Sequence, residues 1–316
     1  METTTAHDDS KLLLGDINFS IASIPAVDAS LYSLTSEEAA FFKTQIGIDD
    51  DDELKRHVME VAPYPCILGF SFLKWHITTN PVYEHILKLG RERPGAVLLD
   101  VGCCFGVDSR KAASDGFPME NIISSDINHG NMLPLKIILV NNVYVRIEFL
   151  QLGHELFKTT PASYRGHLLP GDVFDPAFIR IAEPSDNVSA AHAIDLSSLK
   201  SLNPLHGRIS AIYASKLFHC FTEDKQLHLS RALAGLLSAE PGSVICGDQI
   251  GALQKGTHSF GLSAKHQVFC HSPQTWSSLW DGEIFQKGSV KVETDLVEVT
   301  VFEEPMLLMR WSVTRL

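Results

Sequence analysis

The residues best placed to do chemistry begin in the stretch VLLDVGCCFGVD, Val97 to Asp108. There an apolar run ends in Asp100, and Gly102 and Gly106 bracket the adjacent pair Cys103-Cys104. Asp126 closes the segment NIISSD, 20 residues beyond Gly106, and Asp172 stands in LLPGDVFD. Glycine lets a chain turn sharply and lets a ligand approach the backbone, and the amides that open a helix form a weakly positive cup. A carboxylate at the end of a neighbouring strand can accept both hydroxyls of a ribose. The set describes a nucleoside site, with Gly102, Cys103 and Gly106 forming its loop and Asp126 holding the sugar.

Which nucleoside follows from what the loop lacks. A dinucleotide fingerprint, GxGxxG, would need glycine where this chain has Cys104 and Val107, so a pyrophosphate is not expected. An acid two residues before the first glycine suits a cationic nucleoside such as S-adenosylmethionine, with Asp100 near its amino and sulfonium groups. Asp172 can accept the adenine amino proton while the Val173 amide faces the ring; an aspartate at such a place can also simply cap a turn. The six cysteines (Cys66, Cys103, Cys104, Cys220, Cys246, Cys270) include no CxxC and no His/Cys cluster at zinc spacing, so reduced thiols and no metal are expected. Cys103-Cys104 then reads as two small side chains in a loop that must stay close to its ligand.

Elements that could position these residues are visible on either side. VLLDVG, NIISSD, LLPGDVFD, ISAIYASKLF and PGSVICGDQIG read as buried strands, with helices in RKAASDG and EDKQLHLSRALAGLLSA between them. Alternating strands and helices predict a mostly parallel sheet covered on both faces, with ligands at the carboxyl ends of its strands. The tail from Val290 alternates on both sides of EEP, predicting an antiparallel hairpin. HGNMLPLKIILVNNVYVRI holds two β-prone runs around Asn141-Asn142, and the acidic run from Asp49 to Glu53 suits a helix start or a loop. The expected organisation is an N-terminal extension, 1–62, and a main domain, 63–316, with a lid segment at 63–90 and an atypical insertion at 129–146.

Composition narrows the partners. With 316 residues and 45% apolar composition the chain can bury a large core, and 26 basic against 38 acidic residues give a formal charge of −12. That balance disfavours nucleic acid and anionic membrane surfaces. No membrane span or leader is evident, so a cytoplasmic protein acting on a small molecule is expected, with a homodimer allowed.

The motifs LLDVGCCFGVDSRKAASDGFP, NIISSDI, FLQLGHELFK, LPGDVFD, ASKLFHCFTEDKQ and GSVICGDQIG together resemble fungal S-adenosylmethionine-dependent methyltransferases of secondary metabolism, in particular meroterpenoid carboxyl methyltransferases of the austinol pathway type. The resemblance runs from about Tyr64 to Gly251. It implies a class I methyltransferase Rossmann-like fold, a mostly parallel seven-stranded sheet with an antiparallel C-terminal hairpin and helices on both faces. It also implies S-adenosyl-L-methionine as cofactor and carboxyl O-methylation of a polyketide or meroterpenoid intermediate. The family passes almost directly from the ribose acid to the helix like FLQLGHELF, so residues 129–146 are either an inserted lid or a retained intron.

On the acceptor side, a carboxylate needs no base, whereas a phenol or amine usually benefits from one. His219 is the candidate catalytic residue, and His266 and His271 belong to the later loop. Tyr64, Phe72 and Trp75 are expected to fold over the cofactor and wall an apolar pocket, and Lys255 and Lys265 could meet a carboxylate. N- or phenol O-methylation is the alternative chemistry, and a non-catalytic binding protein of the same fold the alternative class.

Overall fold

The computed structural model describes residues 11–14, 17–20, 28–61, 68–127, 137–140, 143–146, 149–185, 194–260, 266–301 and 304–316. Seven strands form its central sheet: β1 (Leu98–Val101), β2 (Ile122–Ser125), β3 (His167–Leu168), β4 (Ala211–Ser215), β5 (Val244–Ile250), β6 (Val290–Val301) and β7 (Glu304–Arg315). Their spatial order is β6-β7-β5-β4-β1-β2-β3. β1 pairs in parallel with β2 (Leu98 opposite Ile122) and with β4 (Leu98 opposite Ala211), so strand order reverses at β1. β4 and β5 are also parallel, while β7 runs antiparallel to both β5 and β6. Such a reversal opens a crevice at the strand ends.

β1, β2 and β4 are apolar runs buried on both faces, as a covered parallel sheet requires. Side chains alternate between the faces. Leu98, Ile122, Tyr213 and Cys246 pack with helix α3 (Tyr83–Glu92), while Leu99, Ile123, Ile212 and Ile245 pack with α6 (Glu223–Leu236) and α7 (Pro273–Trp280). On the second face Trp276, Trp280, Trp311 and Phe218 interlock, with Trp276 and Trp311 5.0 Å apart. Ser272 and Thr275 close a reciprocal cap at the start of α7, and Pro273 occupies its first turn.

A third apolar cluster lies over the loop after β1. Helices α1 (Ser36–Ile46), α2 (Asp51–Val61) and α5 (Phe149–Leu156) bring Phe42, Leu54, Val58 and Leu156 together with Phe72 and with Phe105 and Val107 at the start of α4 (Val107–Ser114). The acidic run near residue 50 is a helix start: Asp50 accepts the Glu53 amide at 2.8 Å and Asp51 to Glu53 form the first turn of α2, where acids complement the helix dipole. Gly153 lets α5 lie against the loop, because a Cβ there would stand 2.6 Å from the Phe105 carbonyl oxygen.

Three short antiparallel pairs complete the described chain. Ile137–Val140 pairs with Val143–Arg146, Gly256–Phe260 pairs with His266–Cys270, and Lys11–Leu14 pairs with Ile17–Ser20. Among the described residues no helix is long and apolar enough to cross a membrane.

The sheet leaves little slack at its centre. A Cβ at Gly247 of β5 would come within 2.0 Å of the Ala214 carbonyl oxygen on β4. Gly247→Ala should therefore force a backbone shift and destabilise the chain by about 2 kcal/mol or more; a denaturant midpoint equal to that of the unmodified protein would contradict this packing.

Candidate active site

The expected loop stands at the reversal point. Gly102 and Gly106 adopt φ of 72° and 68°, the left-handed region that glycine enters freely, and between them Cys104 adopts 53°. The Gly102 and Cys103 amides donate to the Ser125 carbonyl at 2.8 and 3.1 Å, tying the loop to the end of β2. Asp126 completes the tie: its carboxylate accepts the Cys104 amide at 2.7 Å and its own neighbour's, Ile127, at 2.7 Å. Two of its roughly four acceptor positions remain. The Gly171 amide donates to the Asp126 carbonyl at 3.0 Å, bringing Asp172 and Val173 to the same edge; both are half-buried. One oxygen of Asp172 accepts the Phe174 amide at 2.8 Å, so this side chain shapes its turn and keeps acceptor capacity.

Asp100 is buried and accepts the Ser109 hydroxyl at 2.7 Å, and Ser109 in turn accepts from Ser124 at 2.7 Å. A further acid, Asp108 in the first turn of α4, accepts the His76 and Ile77 amides at 2.9 and 3.1 Å. Burial pushes the carboxyls of Asp100 to about 7, Asp126 to about 6 and Asp108 to about 8; charge on Asp100 adds to the Asp108 shift and charge on Asp126 to that of Asp100. One buried and two half-buried acids gathered this closely favour a cation among them.

Cys103 is buried, and burial followed by the charge of Asp100 raises its thiol well above the ordinary range, the opposite of a reactive cysteine. Cys104 contributes its backbone amide to Asp126. Behind the loop, Arg110 is buried between the rings of Phe157 and Tyr164, 4.2 and 4.4 Å from their centroids, and donates to the Phe105 and Gly106 carbonyls at 3.2 and 3.3 Å. It is a brace for the start of α4.

The expected cover residues divide. Phe72 is buried with its ring 4.7 Å from Phe105 and presses on the loop from outside, while Trp75 packs on Phe41 of α1 at 5.4 Å. Tyr64 lies outside the described residues. His219 sits just beyond β4; its Nδ1 accepts the Ile250 amide at 3.4 Å, and burial with the nearby Lys216 pushes it down to about 4. His271 is buried, meets Thr275 Oγ1 at 3.1 Å and is likewise pushed down to about 4 by burial. It borders a cavity of about 560 Å³ between α6 and α7, rimmed by Glu223, Asp224 and Glu283. Lys255 pairs there with Glu223. His266 begins the second strand of its hairpin, and its side chain and Lys265 lie outside the described residues.

Residues that the sequence did not single out as site members join them. Asp108 lay in view as an acid in a helix's first turn, the signal that could have marked it. Lys216, the first residue after β4, has φ of 50°, and its Nζ lies 2.9 Å from His76 Nε2. Asn80, buried, donates to the Gly247 and Trp311 carbonyls at 3.1 and 3.2 Å, fastening the N-terminal segment across β5 and β7.

Counted from β1 outward, the strand order and the reversed last strand are those of a class I methyltransferase. A family profile described as the meroterpenoid methyltransferase N-terminal domain matches residues 28–73, the segment that carries α1, α2 and Phe72. Methyltransferase ausD of Aspergillus calidoustus is 29% identical over 260 residues, covering 79% of this chain and 75% of that one. O-methyltransferase atr3 of Stereocaulon alpinum is 27% identical over 237 residues, covering 73% and 57%. An S-adenosylmethionine-dependent methyltransferase structure from Mesorhizobium loti aligns with a TM-score of 0.39 at 13% identity, covering 76% of this chain and 100% of that one. The sheet has the strand order of the class I methyltransferase fold, and the sequence is similar to methyltransferases. Among such proteins it is similar over most of its length to fungal enzymes of secondary metabolism.

The buried acids set a pH dependence for the unliganded chain. Their folded values lie above the unfolded value of about 4, so the stability they contribute is full below that pH and is lost as pH rises through about 6 to 8. Thermal midpoints of the unliganded protein should fall between pH 5.5 and 8; Asp108→Asn should flatten that fall, and an unchanged slope would remove Asp108 from the account.

Proposed function

We propose that this chain transfers the methyl group of S-adenosyl-L-methionine to the carboxylate of a small-molecule acceptor, a polyketide or terpenoid-polyketide intermediate of secondary metabolism. The observation that carries the donor half is the loop from Asp100 to Asp108 with Asp126 beside it. Asp126 keeps acceptor positions for a pair of ribose hydroxyls, and the left-handed glycines leave the backbone open to a close ligand. Asp100 and Asp108 supply negative charge that suits an ammonium and a sulfonium, and the edge formed by Asp172 and Val173 suits adenine. The cofactor, when bound, supplies an electrophilic methyl carbon with a neutral thioether as leaving group.

The acceptor half rests on basicity. A phenol or an amine must shed a proton, but His219 and His271 are held near 4 by burial, and His76, beside Lys216, is also lowered first by burial, so all three are weakened as bases. A carboxylate attacks already deprotonated: one oxygen forms the bond to the methyl carbon, the carbon–sulfur bond breaks with its pair going to sulfur, and no proton moves. Catalysis then consists of alignment and exclusion of water, for which the cover built from α1, α2 and residues 68–80 is suited. The matched N-terminal profile, described as that of meroterpenoid methyltransferases, supports a terpenoid-polyketide acceptor.

The test is the donor site itself. Titration calorimetry with S-adenosylhomocysteine should give saturable one-to-one binding, and Asp126→Asn should weaken it at least about tenfold, the cost of about 1.4 kcal/mol expected when a charge-assisted contact is reduced. Well-folded protein with no binding, or an Asp126→Asn variant of unchanged affinity, would refute this reading.

A further inference from the structure

Lys216 stands where a parallel sheet presents its ligands, directly after the carboxyl end of β4 and next to the donor loop. Leu217, its neighbour, is the side chain that a Cβ on Gly102 would meet at 3.0 Å. The backbone is held in the left-handed region by a bond from the Lys216 amide to the Asp248 carbonyl at 2.8 Å. For a residue that is not glycine this is a strained conformation, and it fixes where the side chain starts. The tip is fixed as well: Nζ lies 2.9 Å from Nε2 of His76, whose own amide is held by Asp108.

An ammonium carries three N–H donors, and this one is half-buried. Among the described residues its single hydrogen-bond partner is His76, a ring kept neutral first by burial and then by the lysine itself. The nearby carboxylates are turned elsewhere, Asp248 accepting the Ser215 hydroxyl at 3.0 Å and Asp108 the His76 and Ile77 amides. Both act on the lysine through space, without an ion-pair contact. A half-buried cation with two donors free of protein partners and no anion in contact among the described residues is only partly solvated, so an arriving anion would gain more there than at a fully solvated surface lysine.

We propose that Lys216, oriented by His76, is the residue that binds the carboxylate of the methyl acceptor. This assignment rests on the carboxyl-methylation reading and supplies its missing half, the group that selects an acid. Burial lowers the pKa of this ammonium while the charges of Asp248 and Asp108 oppose that shift, and the proposed role needs only its positive charge. One carboxylate oxygen holds the lysine while the other attacks, and the neutral ester produced no longer has a full charge to offer, which favours its release.

Saturation-transfer NMR and calorimetry on the full chain, with and without S-adenosylhomocysteine, would compare benzoate with benzamide and farnesoate with farnesamide. Each acid should bind the unmodified protein at least about tenfold more tightly than its amide. Lys216→Met should abolish that preference by weakening the acid alone, and Lys216→Arg should restore part of it, while affinity for S-adenosylhomocysteine stays unchanged in both. No preference for either acid in the unmodified protein, or a preference that survives Lys216→Met, would overturn the assignment. The comparison in the unmodified protein needs no variant, so a misfolded Lys216→Met would not shield the proposal. Loss of S-adenosylhomocysteine binding in the unmodified protein would instead count against the donor reading, and the acid preference could still be read on the unliganded chain.

Discussion

The carboxylate of Asp126 accepts two backbone amides, that of Ile127 and that of Cys104 in the loop after β1. This pair of bonds fixes how the two neighbouring strands present their ends. It allows the loop to double back through Gly102, Cys104 and Gly106, all at positive φ. The cost is a charge set apart from water, and Asp100 and Asp108 repeat that cost within the same few turns of chain. A site built this way is incomplete until positive charge enters it, which is what a sulfonium nucleoside would bring.

The cover over the loop explains how such a site stays ordered without its ligand. Phe105, inside the loop, is packed by Phe72 at 4.7 Å and Phe149 at 6.1 Å, so the N-terminal segment and α5 grip the same ring. Gly153 allows the approach of α5, and Arg110 satisfies two loop carbonyls while its guanidinium is shielded by aromatic faces. Asp108 then links this layer to the acceptor side, because the amides it accepts belong to His76 and Ile77, and His76 meets Lys216. One short stretch of sequence, residues 70–80, therefore touches the donor loop, the edge of β5 and the lysine beyond β4.

What the sequence disclosed, it disclosed through local rules. The four-residue strands β1 and β2 were legible as short runs led by paired apolar residues next to acids, and Gly102 and Gly106 as a tight turn after β1, since spacing of glycine is itself what such a turn requires. The C-terminal hairpin was legible from alternation. Lys216 and His76 were hidden because they are 140 residues apart and nothing local distinguishes a lysine after a strand from a solvated one. The aromatics were recognised as a group, but periodicity could not say that Phe72 and Trp75 would face the back of the loop, a matter settled by the packing of α1, α2 and α5. His219 and His271 show the same limit in another form: their type suggested proton transfer, while the burial that lowers their basicity is set by distant packing that no local pattern reveals.

Acids gather around the loop after β1 and Lys216 stands at the end of β4, the division of charge that the proposed reaction would use. The most direct test is the proton balance when the cofactor enters. Calorimetric titration of S-adenosylmethionine at pH 6.5, repeated in buffers of different ionisation enthalpy, should reveal net proton release as the buried aspartates ionise around the incoming cation. Binding with no proton release across those buffers would contradict the account.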